Sequence, residues 1–258
     1  MKDFLNWSAW AMEKPTSYGT FHIVFTLILL SFAILGAYLL RNTNNKQNRI
    51  VLTTISAVLL LFELYKILFH IHVESYGWGF WGVFPFQLCS LPMYLCMFCA
   101  ICRNEKINSW LYEFMFSVNM FGGIMAFIEP SGIHHPIITL TAHAYIWHML
   151  LIFLGLYLYM SKRVCKEHRG YIKGIVVYYI ACIVAQSFNL IYGDKINCFY
   201  ISPYVQSPLA VFKDIYASCG WFVNMFLMMI GITIASAVVY YVGYFIRVKR
   251  TAKEKVHV

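Results

Sequence analysis

Cys89, His143 and His148 are the residues of this 258-residue chain whose types suit nucleophilic catalysis. A thiol attacks as its thiolate, so it needs surroundings that favour the anion and a base within hydrogen-bond reach. Pro85 suits the first turn of a helix and places Cys89 about one turn in, where backbone dipoles favour a thiolate. Pro92 should open the turn around Leu88 and Cys89. The competing reading of Cys89 is a small buried apolar residue. His143 and His148 match it in depth, yet five helical positions turn them about 140° apart, so only one should face it. The spacing leaves open which one.

Polar groups cluster around this trio. Glu63, Lys66 and His70 share a helix face at spacings of three and four. They read either as part of a site or as an ion pair that only neutralises two buried charges. Gln87, Asn119 and Asn189 are amides that could orient a histidine or stabilise an oxyanion. Cys96, Cys99 and Cys102 recur every third position and read as packing. There is no HExxH and no tight ligand spacing, so neither a metal nor another cofactor is expected.

The elements that position these groups follow from composition. Of the residues 60% are hydrophobic and 12% charged, against roughly 45–50% and 25% in soluble domains. Seven apolar blocks are long enough to cross a bilayer: 20–40, 50–72, 81–102, 109–128, 136–160, 171–192 and 218–246. The expected fold is therefore all-α, one transmembrane domain over residues 1–258 with seven helices. Pro85 and Pro92 interrupt the third block, and Gly122-Gly123 the fourth. The first block follows no basic n-region or cleavage site, so it reads as a helix and not as a leader.

Net charge is +9, but the basic residues sit between apolar blocks, which argues against nucleic acid and sets topology. Arg41, Lys46 and Arg49 fill the first connection, Arg103 and Lys106 the third, and Lys162, Arg163, Lys166, Arg169 and Lys173 the fifth. The tail adds Arg247, Lys249 and Arg250, whereas the connections 72–80 and 129–135 hold no Lys or Arg. The N-terminus is thus expected outside and the C-terminus in the cytoplasm. On that topology the site candidates lie in the outer half or near the midplane, and the inner halves are apolar. Such one-sidedness suggests a vestibule open to the outer leaflet. Glu113 is the exception, close enough to the inner surface to reach water. The aromatic connection from Gly193 to about Ala217 reads as a lid or an ordinary interfacial loop, and Cys198 and Cys219 could bridge its ends.

The run from Phe84 to Leu95 (FPFQLCSLPMYL), after Glu63-Leu-Tyr-Lys66, resembles the bacterial YwaF-like integral membrane protein family. His143…Trp147-His148 and Asn189…Gly193…Asn197 are similar to its later motifs, although the pattern expects Tyr where this chain has Cys198. That family is similar to eukaryotic multispanning acyltransferases that remodel phospholipid acyl chains with a Cys and a His. The resemblance implies Cys89 as nucleophile, His148 as its histidine, and a membrane lipid as substrate. The expected function is an acyltransferase or lipid acyl hydrolase at the outer leaflet of a bacterial plasma membrane. The rival is a small-molecule or ion transporter using the same polar vestibule.

Overall fold

The computed structural model describes residues 2–73, 81, 83–165 and 167–256; the connection 74–80, residue 82 and Lys166 lie outside them. The chain is helical: α1 (Lys2–Ser8), α2 (Thr20–Leu39), α3 (Asn45–His72), α4 (Leu91–Ile101), α5 (Glu105–Phe114), α6 (Met120–Ile128), α7 (Ile138–Met160), α8 (Arg169–Tyr192) and α9 (Ala210–Val256). Gly220, with φ +80°, breaks α9 near its start. Among the described residues the only β pairing noted outside a strand is the bridge Ala11–Ile137.

Among the described residues six helices are long and apolar enough to cross a membrane. The third expected span is shorter than the sequence suggested, because its apolar helix runs only over Leu88–Ile101. Proline explains the late start. Pro85 lies ahead of the Leu88–Ser90 turn and of α4, and it is Pro92 that occupies the first turn of α4. The anticipated break at Gly122-Gly123 is also absent. Helices α5 and α6 are joined instead by a π turn, Met115–Asn119, whose five residues are all buried.

Local sequence accounts for the starts. Asn44 caps α3 reciprocally with Gln47, each side chain accepting from the other's backbone at 2.9 Å. Asn104 accepts from Lys106 and Ile107 at the start of α5. Helix α1 was not anticipated. It is short, and it docks by burying Leu5 with Phe69, Val73, Ile137 and Leu140.

Helix α7 is central, packing on α2, α6 and the π turn, while α3 pairs with α4 and α5 with α8. Close approach of α6 to α7 depends on Gly123, where a Cβ would lie 2.9 Å from the His148 carbonyl oxygen and 3.1 Å from Leu151 and Ile152 side chains. Gly123→Val is therefore expected to cost about 1–3 kcal/mol by forcing the helices apart. Gly122→Ala, whose Cβ meets nothing within 4 Å, should be near neutral. Thermal melting of the two variants in detergent separates the cases.

The basic connections converge on one end of the bundle. Arg163 donates to Asn45 Oδ1 and the Thr43 carbonyl, both at 2.9 Å, tying the α7–α8 connection to the α2–α3 connection. Arg247 of α9 donates to the carbonyls of Tyr159 at 2.6 Å and Val164 at 3.0 Å. This end is more polar inside than the sequence suggested. Asn48, Tyr112, Tyr157 and Thr43 form a hydrogen-bonded chain with links of 2.7–3.0 Å. Glu113 does not reach water: it is 0% exposed and accepts from the Cys165 backbone amide.

Candidate functional site

Cys89 sits in the 3-10 turn Leu88–Ser90 that leads into α4. Pro92 has no N–H, so the Leu88 carbonyl, four residues earlier, lacks its helical donor. Asn119 of the π turn supplies one, donating Nδ2 at 2.8 Å. Trp147 of α7 donates Nε1 to the Cys89 carbonyl at 3.1 Å. Two distant side chains thus fix the turn that carries the thiol. The Asn119 Oδ1 is buried with no hydrogen-bond partner among the described residues.

Glu63 is 3% exposed, and Lys66 sits 2.7 Å from its Oε1 and 2.9 Å from its Oε2. The ammonium lies 5.8 Å from the Trp147 ring centroid. It is near enough to act electrostatically on Cys89, His143 and His148 alike. The expected Glu63–Lys66 pair is therefore real, and its charges act on the thiol.

The two histidines are held differently. His148 Nδ1 lies 2.8 Å from the Ala144 carbonyl. A carbonyl only accepts, so Nδ1 carries the hydrogen and Nε2 keeps its lone pair. His143 places Nε2 at 3.1 Å from the Phe62 carbonyl and stacks its ring on Trp147 at 5.6 Å. Among the described residues neither imidazole is hydrogen-bonded to the Cys89 thiol. His70 is buried and interacts electrostatically with His135 of the connection before α7.

The connection after α8 is a buried plug. Ile196, Cys198, Phe199 and Ile201 are each at most 4% exposed. Gln87 and Asn189 hold it. Gln87 donates to the Asn197 carbonyl at 2.9 Å and accepts from Phe199 N at 3.0 Å. Asn189 accepts from Cys198 N at 2.7 Å and donates to its carbonyl at 3.1 Å. These amides, expected to orient the histidine, instead position the plug. Gly193 starts it at φ +63°, ψ −129°, a region essentially restricted to glycine. Cys198 is a buried thiol and Cys219 an exposed one, so no disulfide closes this segment.

Phe199 and Tyr200 follow one another with φ of +57° and +58°, a costly pairing for residues with side chains. Phe86 stacks on Phe199 at 5.9 Å and helps to hold it. Burial, with a smaller contribution from Cys89, raises the Tyr200 phenol to about 12, so it stays protonated and can donate. Sequence reading marked only the connection that carries Tyr200 as aromatic, and gave Trp147 no role beyond its motif. The position of Trp147 beside His148, at the depth of Cys89, was a usable signal for the indole. Nothing local marked Tyr200.

Cys96 and Cys99 are core residues, as their spacing suggested, and among the described residues no group of His, Cys, Asp and Glu could hold a metal ion. Residues 17–244 match the model described as the TMEM164 family. No curated protein and no solved structure matches the chain.

Proposed function

The chain belongs to the TMEM164 family, a family of membrane proteins, and from that premise we propose that it moves or removes lipid acyl chains through Cys89 and His148. The proposal includes seven spans, counting Leu88–Ile101 as the shorter seventh, with the N-terminus outside and the C-terminus in the cytoplasm of a bacterial plasma membrane. Convergence of the basic connections on one end supports that orientation. The resemblance to YwaF-like proteins, and through them to Cys/His phospholipid acyltransferases, belongs to the same proposal.

The observation that carries it is the state of His148 beside the Trp147–Cys89 contact. With Nδ1–H given to Ala144 O, Nε2 is a base whose tautomer is already set. In the first half-reaction the Cys89 sulfur bonds to the acyl carbonyl carbon while Nε2 takes the thiol proton. The ester C–O bond then breaks, and the departing alkoxide takes that proton back from Nε2 as the thioester forms. In the second, an acceptor hydroxyl or water attacks the thioester and passes its proton to Nε2. The C–S bond breaks, and Cys89 leaves as the thiol after reprotonation. Tyr200 O–H is the donor best suited to the developing oxyanion.

The test is a comparative lipid profile of cells expressing wild type, Cys89→Ala and His148→Ala at matched levels. A change in acyl composition or lysolipid content that wild type produces and both variants lose is the expected result. Identical profiles in all three would overturn acyl chemistry on cellular lipids and turn attention to flux assays.

A further inference from the structure

The basic end of the bundle, opposite Cys89, opens into two clefts of about 420 Å³ and about 410 Å³ that share Glu105 and Ser109 on their walls. Lys106, Trp110 and Lys173 complete the first. The second is lined by polar groups, among them Thr43, Asn45, Ser161, Lys162 and Arg163. Four cations therefore face one carboxylate, with hydroxyls between them. Lys173 donates to Ser109 Oγ at 3.2 Å, and among the described residues none of the four cations forms an ion pair with a carboxylate. Such a surface lacks an anion.

Lys162 supplies an independent observation. It follows the last turn of α7 with φ +60°, and its amide and that of Arg163 bond back to the carbonyls of Tyr159 and Leu158 at 3.2 and 3.0 Å. Helices commonly end this way, but at a residue where glycine is favoured and a side chain is strained. A lysine here holds a cation over the cleft against its own backbone preference. Strain retained at a site points to a role for the side chain.

We propose that the joined clefts hold the phosphate-bearing headgroup of an anionic phospholipid from the leaflet at the basic end. The polar compartment takes the phosphate between Lys162, Arg163 and the hydroxyls, with Lys106 and Lys173 close behind the shared Ser109 wall. The compartment walled by Trp110, itself 40% exposed, takes the glycerol and the first acyl carbons. An indole favours that depth in a bilayer, and basic pockets between transmembrane helices suit anionic headgroups. A soluble phosphate would use the polar compartment alone. The site stands apart from Cys89, so it holds whether or not the acyl proposal does.

Thermal melting of the full purified chain in detergent tests it, with phosphatidylglycerol, phosphatidylcholine or inorganic phosphate titrated in. Phosphatidylglycerol should raise the midpoint well above what phosphatidylcholine does. The pair Lys106→Gln/Lys173→Gln should weaken that binding about twenty-five-fold, at about fivefold for each lysine near an anionic surface. Lys46→Gln/Arg169→Gln removes the same charge from exposed positions outside both clefts, and should leave binding within about threefold. Lys162→Gly should raise the ligand-free midpoint yet weaken lipid binding, opposite signs that loss of fold would not give. Equal losses from both pairs would reduce the effect to general attraction by the basic end and overturn the site. Stabilisation by inorganic phosphate as strong as by the lipid would assign the cleft to a soluble compound and overturn the lipid assignment.

Discussion

Cys89→Ala is expected to lower acyl turnover at least about a thousandfold in purified protein, because it removes the atom to which the acyl group would bond. His148→Ala should fall into a similar range, and the double variant should be scarcely worse than either single one. Groups that act as one unit are strongly non-additive in this way. The structural cost should be small. Cys89 is only half-buried, and the contacts that fix its turn are made by the carbonyls of Leu88 and Cys89, which the substitution keeps. Turnover by single and double variants, measured with their melting midpoints, checks both parts. Full turnover by Cys89→Ala at an unchanged midpoint would refute the thioester route. Additive losses in the double variant would separate the two residues into independent roles.

The second large effect concerns stability. Lys66→Met leaves the Glu63 carboxylate without the one ion-pair partner it has among the described residues, in a nearly inaccessible place with 4% of its side chain exposed. Breaking a buried pair from one side costs roughly 3–5 kcal/mol. Lys66 keeps 26% of its side chain accessible, so the lower end of that range, about 3 kcal/mol, is expected. Adding Glu63→Gln should restore most of the loss, since the stranded charge is then gone. Activity should behave otherwise. Lys66 sits near Cys89, His143, His148 and the Trp147 ring, so the restored double variant should melt near wild type and remain slow. Recovery of both together would make the pair purely structural.

Sequence reading and structure agree where the physics is local or additive. A helix lies within each of the apolar blocks because length and composition are enough to choose helix in a bilayer. The basic connections meet at one end because consecutive spans must alternate. The Glu63–Lys66 pair was legible because three positions on a helix are neighbours whatever surrounds them. Cys89 was placed near a helix start for the wrong proline, since both Pro85 and Pro92 are allowed there and only the fold selects between them.

What the sequence by itself determined is the class of protein, the rough position of its apolar helices and a short roll of polar residues that hydrocarbon would exclude without a reason. Tertiary structure decided which of those residues meet. Asn119 reaches Leu88 because a π turn, invisible in periodicity, rotates it there. Gln87 and Asn189 turned out to hold a plug because their partners, Phe199 and Cys198, come from a loop with no pattern of its own. Phe199 and Tyr200 are two left-handed residues that no propensity would place in succession. The gathering of lysines around Ser109 needed three connections far apart in sequence to close on one cleft. Hydropathy and spacing are properties of neighbours along the chain, whereas a site is a set of contacts between distant segments, fixed only when the helices pack.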